Sequence, residues 1–399
     1  MIKQNLSYPS FCTGNESVIN SAILFCKIYK LPLIIESTAS QVNQYGGYTN
    51  KTPRKFSQMI QKMCKKNNYP FSKIILGADH LGPYPWKNYK NKVALKNSKY
   101  LLANVLKNNY KKIHIDTSYQ LLEDKLFDKN LFFSRSIDLI KKIIKQKKFF
   151  FISVGTEVPP PGEEYKKNYK TSLDEFKLES KSYLKFFKSQ NFNYTFAMVI
   201  EPGMGFNNTK IKTPKIKYLD KFKLYSKQNK FFFEAHSCDY QNIKVLKQLV
   251  KKNFKFLKVG PELTYNFSKV IFNMEMIEKK HFNKVSNIKK KIITIMRKNN
   301  RYWHEHYPSN ISNKELISHK LDRIRYYWNY KNVIKSLKIL KQNINTLKKE
   351  ELFIEIKNLK VLDKNSFNID NFDLLIFCGL FESLEKFYKA CGYKMKFKK

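Results

Sequence analysis

The ionisable residues best placed to do chemistry in this chain gather at the ends of short apolar runs. Asp79 and His80 close IILGADH, His114 and Asp116 close KIHID, and Glu157 closes FFFISVGTE. Glu201 follows FAMVI, and His236 closes FFFEAH. An aspartate before a histidine offers a general acid or base beside a metal ligand. The other role open to such a dipeptide is a helix cap with a surface imidazole. Polar groups lie nearby in the sequence. Residues 36–49, ESTASQVNQYGGYT, bring Gln41, Asn43 and Gln44 ahead of a Gly46-Gly47 turn. Such a loop suits sugar hydroxyls or a phosphate, or serves simply as a polar turn. Asp116 and Ser118 end the fourth run, and Ser237 and Asp239 follow His236.

Those residues need elements that bring them to one place. Eight runs read as strands: 6–12, 31–38, 73–80, 112–118, 149–158, 195–202, 230–236 and 254–261. Several are apolar on successive residues, as in strands covered on both faces. Helical patterns alternate with them at 16–29, 53–66, 86–109, 134–147, 172–189, 214–227, 240–252 and 264–280. Thr52-Pro53 and Thr213-Pro214 carry the N-cap and first-turn proline signature. Strand–helix alternation implies right-handed crossovers and a parallel sheet. Eight such units fit a closed (β/α)₈ TIM barrel, in which all strand C-termini open on one face; an open doubly wound sheet is the competing arrangement. The strand signals stop near Val285. We therefore expect a barrel over 1–285 and a helical C-terminal region packed on it over 286–399.

Composition bounds the class. The 399 residues are 42% hydrophobic, with 32 Phe and 25 Tyr, which is enough for a substantial core. There is no apolar stretch of membrane-spanning length, and the first residues lack the apolar run of a signal peptide. Six cysteines without CxxC spacing suggest free thiols in a reducing cytoplasm. The net charge of +44 would ordinarily point to a polyanion. Here the charge is almost all lysine spread along the chain, beside abundant Asn, Ile, Phe and Tyr, the residues of AT-rich codons. No nucleic-acid recognition motif accompanies it, so neither a specific nucleic acid nor a membrane is expected as partner.

Together the segments IIESTASQVNQYGGYT, IILGADHLGP, KIHIDTS, VGTEVPPPGE, EPGMGFNN, FFFEAHSCDYQ, FLKVGPELT and LDRIRYYW resemble the Z-type (GatZ/KbaZ-like) proteins of tagatose-1,6-bisphosphate aldolase, relatives of the class II, metal-dependent aldolases. The resemblance runs from residue 34 to 328. It implies a TIM barrel and a ketose phosphate substrate. For some members it implies partnership with a separate catalytic Y-type subunit, and for others stand-alone 4-epimerisation of tagatose 6-phosphate. The family usually carries Gln where Glu201 stands, and a basic or aromatic cluster where His304, Glu305 and His306 stand.

Cleaving or inverting a ketose phosphate at C4 passes through an enediolate, which needs an electron sink. The sink is either a Schiff-base lysine, for which Lys258 is the candidate, or a divalent metal. For the metal, most simply Zn²⁺, His80 and His236 with Glu201 or Glu157 are the expected ligands. Asp79 and Glu157 are the expected acid–base residues, with Asp79 moving the C4 hydroxyl proton. Barrel enzymes often hold phosphate after strands 7 and 8. Ser237, Gly260 and Thr264 are expected there, with Gln41, Asn43, Gln44, Asp116 and Ser118 among the substrate- or phosphate-binding residues. Arg323 and Arg325 are expected at a second phosphate or in a salt-bridge network. His114 reads as structural or as support for the metal, and His281 and His319 as surface or packing residues. Two roles stay open: a metal-assisted aldolase or 4-epimerase, and a non-catalytic subunit that activates a Y-type aldolase.

Overall fold

The computed structural model describes residues 6–126, 128–155, 170–190, 194–348, 351–352 and 369–395. Eight parallel strands close into a barrel: β1 (Tyr8–Cys12), β2 (Leu33–Thr38), β3 (Ile74–Leu81), β4 (Tyr110–Ile115), β5 (Phe150–Val154), β6 (Tyr194–Val199), β7 (Phe232–Ala235) and β8 (Phe254–Val259). Each strand pairs with its neighbour in sequence, and β8 returns to β1 with Ser10 opposite Lys258. The fold is the expected TIM barrel with a helical C-terminal extension.

Local chemistry sets the helices. Asn15 caps α1 (Glu16–Tyr29) by accepting from the amides of Ser17 and Val18. Thr52 and Pro53 open α2 (Pro53–Lys66) as their types require. Then follow α3 (Asn91–Lys107), α4 (Lys129–Ile144), α5 (Leu173–Lys188), α6 (Leu219–Gln228), α7 (Ile243–Lys251) and α8 (Pro261–His281). Five starts differ from expectation by more than one residue; α4 begins at Lys129 instead of 134 and α7 at Ile243 instead of 240. Residues 84–86 form a 3₁₀ turn, so α3 begins at Asn91. Thr213-Pro214 lies before another 3₁₀ turn and does not open α6. Pro261 is itself the first residue of α8, which shortens β8 to Val259. A small hairpin, 205–206 with 211–212, was not foreseen.

Inside the barrel the layers change character with height. Tyr8, Ile34, Ile75, Phe151, Ala197 and Phe256 form an apolar plug at the N-terminal end. Above it the interior turns ionic, with Glu36, Lys112, Glu234, His114, Asp79 and Lys258 all buried. Gly77 makes room for this layer: a Cβ there would lie 2.6 Å from Cγ of Glu36 on the neighbouring strand.

Among the described residues the C-terminal region holds α9 (Ile288–Lys298), a short helical turn at Asn313–Leu316, α10 (Lys331–Thr346) and α11 (Asn371–Ala390). The last packs on α1 and α8. Phe25 stacks on Tyr388, whose hydroxyl donates to the Pro32 carbonyl at 2.8 Å. Burying an aromatic of this size contributes roughly 1.5–3 kcal/mol, so α11 is held firmly to the barrel wall. Between α9 and α10, residues 302–329 reach the barrel mouth, where Trp328 packs edge-on against Phe267. Among the described residues, no helix is long and apolar enough to cross a membrane. No disulfide joins any of the six cysteines.

Candidate active site

A cavity of about 510 Å³ opens at the C-terminal ends of the strands. Strand-end residues Cys12, Asp79, His80, His236 and Lys258 line it from the barrel, and His306, Arg323, Arg325, Tyr326 and Trp328 line it from the C-terminal region.

The barrel side is a connected ionic network. The Lys258 ammonium donates to Asp79 and to Nε2 of His236 at 2.8 Å, and lies 3.0 Å from Oε1 of Glu234 and 3.6 Å from Glu36. Lys112, one layer below, pairs with Glu36 and with Glu234 at 2.8 Å. Burial works against charge on Lys258, yet Asp79, Glu234 and Glu36 hold its pKa well above the ordinary lysine range. Burial likewise opposes ionisation of Asp79, and the charges on His80 and Lys258 overcome it, keeping the carboxylate far below its usual range. Charges taken this far from water persist only when paired in this way.

Three imidazoles surround these groups. Ring centres of His80, His114 and His236 stand 4.8 to 5.1 Å apart. His114 meets Oδ1 of Asp79 at 2.8 Å through Nδ1 and the Gly155 carbonyl at 2.9 Å through Nε2. Burial and the nearby Lys258 charge push its pKa down. His80 sits at a positive φ of 44°, a costly backbone for a non-glycine residue. That turn breaks the β3–β4 register between Ala78 and Leu81 and aims Nδ1 at Asp116, 2.8 Å away. Burial opposes its protonation, but Asp79 and Asp116 raise the His80 pKa to about 9.

Asp79, His114, Glu234 and His236 offer ligand atoms that all lie within 4.8 Å of one another. Two imidazoles and two carboxylates are a donor set that suits a divalent ion. Lys258 now contacts three of those four residues, so an ion bound there would compete with the ammonium. Of the ligands expected from sequence, only His236 belongs to this group. His80 is turned toward Asp116, and His114 stands in its stead. Glu201 lies elsewhere, its carboxylate accepting from the amides of Gly203 at 2.8 Å and Met204 at 3.0 Å, so it shapes the β6 turn. Glu157 lies outside the described residues.

The expected substrate contacts divide similarly. Gln41, Ser237, Gly260, Thr264, Arg323 and Arg325 line the cavity. Asn43, Gln44, Asp116 and Ser118 do not. Asn43 holds its own loop through Ala39, Tyr45 and Gly47, and Gln44 reaches the Asn97 carbonyl. Ser118 donates to Asp116. At the start of α8, where a phosphate was expected, a protein carboxylate already sits: Asp239 accepts from the amides of Gly260 at 3.0 Å and Glu262 at 2.7 Å. Thr264 donates to Asp322. On the facing wall, Nε of Arg323 is buried without a hydrogen-bond partner.

Glu36, Lys112 and Glu234 were not singled out from sequence. Their signal was present: each is an ionisable residue inside an otherwise apolar strand run, IIEST, KKIHI and FFEA.

A family model described as D-tagatose-1,6-bisphosphate aldolase subunit GatZ/KbaZ-like matches residues 2–391. The chain belongs to that family. Its fold is also that of a Sinorhizobium meliloti 1021 protein described as a probable tagatose 6-phosphate kinase, with a TM-score of 0.84 and 24% identity over 96% of this chain and all of the other. A fructose-bisphosphate aldolase from Campylobacter jejuni aligns over 86% of this chain and 91% of its own, with 14% identity and a TM-score of 0.46. Family membership makes this a tagatose-bisphosphate aldolase-family protein of carbohydrate metabolism, and the buried Asp–His–Glu–His group gives it a possible metal site.

Proposed function

We propose that this GatZ/KbaZ-like chain acts on a ketose phosphate by retro-aldol chemistry at C4, in the cytoplasm. The observation that carries the reading is the convergence on one cavity of the Asp79–Lys258–His236 cluster with Arg323 and Arg325. Asp79, held in its anionic form, takes the C4 hydroxyl proton as the C3–C4 bond breaks. Lys258 and the charged His80 face the developing enediolate and lower its energy as fixed positive charges. Asp79, His114, Glu234 and His236 are the residues that would hold a divalent ion, Zn²⁺ by donor type. Such an ion, bound in place of the Lys258 ammonium, would supply Lewis acidity to the ketose carbonyl. The Schiff-base route through Lys258 is disfavoured, because three carboxylates keep the amine protonated and a nucleophilic lysine must be neutral. With Asp239 seated at the start of α8, the guanidinium wall is the better phosphate seat: Arg323 has a donor to spare, and guanidinium binds phosphate through paired hydrogen bonds.

The family description as an aldolase subunit favours a second reading, a supporting partner of a Y-type aldolase. One experiment separates the two. The purified chain is incubated alone with tagatose and fructose phosphates, with and without Zn²⁺, and products are followed by NMR. Turnover by the chain alone supports the catalyst. An inert chain that stimulates an added Y-type aldolase supports the partner.

A further inference from the structure

Lys258 has more buried acceptors around it than it uses. Its ammonium donates to Asp79 and to Nε2 of His236, with Oε1 of Glu234 3.0 Å away. Oε2 of Glu36 lies 3.6 Å from the same ammonium, beyond ordinary hydrogen-bond length. Glu36 is fully buried. Its Oε1 pairs with Lys112, whereas Oε2 has no hydrogen-bond partner among the described residues. Strand β1 runs between β2, which carries Glu36, and β8, which carries Lys258. It sets Ser10 opposite Lys258, and the Ser10 hydroxyl too is buried without a hydrogen-bond partner. A carboxylate oxygen shut away from water with no donor is a costly arrangement. Here that oxygen stands beside an ammonium engaged with other residues.

A divalent ion held by Asp79, His114, Glu234 and His236 would take the atoms on which this ammonium rests. Lys258 must then find another anion, because a lysine charge left unpaired in the barrel interior is strongly destabilising. We propose that Glu36 is the second seat of the Lys258 ammonium, a positioning residue that receives the amine when the ion enters and so sets how tightly the site holds that ion; this rests on the metal-assisted form of the retro-aldol reading above. The movement is small. An ammonium–carboxylate hydrogen bond is about 2.8 Å long, so a shift of about 1 Å completes the contact with Oε2. Lys112 stays where it is, since it also pairs with Glu234 at 2.8 Å and keeps the charge of Glu36 compensated in both arrangements.

The test measures Zn²⁺ affinity by calorimetry in four full-length chains: wild type, Glu36→Gln, Lys258→Met and the double variant. Against wild type, Glu36→Gln is expected to weaken Zn²⁺ binding by about 10- to 100-fold, the usual cost of losing a residue that supports a metal site from outside its ligands. In the Lys258→Met background no amine needs a seat, so the same substitution should change affinity by less than about twofold. Equal weakening in both backgrounds would make Glu36 a mere negative charge near the ion and overturn the proposal, as would no weakening in either. Crystals of the wild-type chain grown with Zn²⁺ and with chelator test the same point with no variant that has to fold. With Zn²⁺, Nζ of Lys258 is expected about 2.8 Å from Glu36. An amine still on Asp79 and His236, or turned into the cavity, overturns the proposal. A chain that binds no Zn²⁺ either as wild type or as Lys258→Met is a different result: it removes the metal from the retro-aldol reading, and this seat with it.

Discussion

The Lys258 ammonium lies 2.8 Å from Nε2 of His236, so a fixed positive charge occupies the centre of the residues best suited to hold a metal. The two cations would draw on the same donor atoms, and their competition can be measured.

Purified chain is expected to carry about one divalent ion if the ligand group binds metal with Lys258 displaced, and chelation should then abolish turnover. Replacing Lys258 with Met removes the competitor and should tighten binding of Zn²⁺, read by calorimetry. It should also destabilise the fold by about 3–5 kcal/mol in urea denaturation, because Asp79 and Glu234 lose a buried partner. Full activity in chelator, with no metal by elemental analysis, would end the metal reading.

Asp79→Asn keeps the shape of the side chain and removes its charge. We expect kcat to fall by about 10² to 10⁴ with KM little changed. Asp79 also neutralises Lys258 at the heart of the barrel, so the melting temperature should drop as well. An unchanged kcat in a catalytically active chain would remove Asp79 from the reaction.

Asp322 sets a pH dependence of stability. Burial pushes its pKa up to about 7, against the pull of Arg325. The unfolded value is about 3.9, so between the two the folded chain holds a proton that the unfolded chain has released. The stability linked to that proton is complete below about pH 4 and is lost as pH rises through about 7. The melting temperature of Asp322→Asn relative to wild type should therefore climb between about pH 5 and about pH 8. A flat difference would show that Asp322 is ionised throughout.

Gly77→Ala tests the packing of the ionic layer. The added methyl would meet Cγ of Glu36 at 2.6 Å, and Glu36 is pinned by Lys112. A loss of about 1–3 kcal/mol is expected in chemical denaturation, typical of overpacking. A neutral result would mean that Glu36 has room to move.

Much of this was legible in the one-dimensional pattern. Apolar runs such as FFISV could be buried strands because both faces of a parallel barrel are covered, and their spacing limited the order of the elements. Thr52 opened its helix through a local hydrogen bond, which depends on nearest neighbours alone. Asp79, His236 and Lys258 could be named because strand ends in this fold share one face. Tertiary structure decided the rest, since a side chain's role follows from what closes around it. The turn at His80 sends its ring to Asp116, leaving His114 beside Asp79. Asp239 reaches across from the loop after β7 to occupy the amides that open α8, 21 and 23 residues on. Glu36, Lys112, Glu234 and Lys258 neutralise one another across strands β2, β4, β7 and β8, a balance of charge that exists only once the barrel has closed.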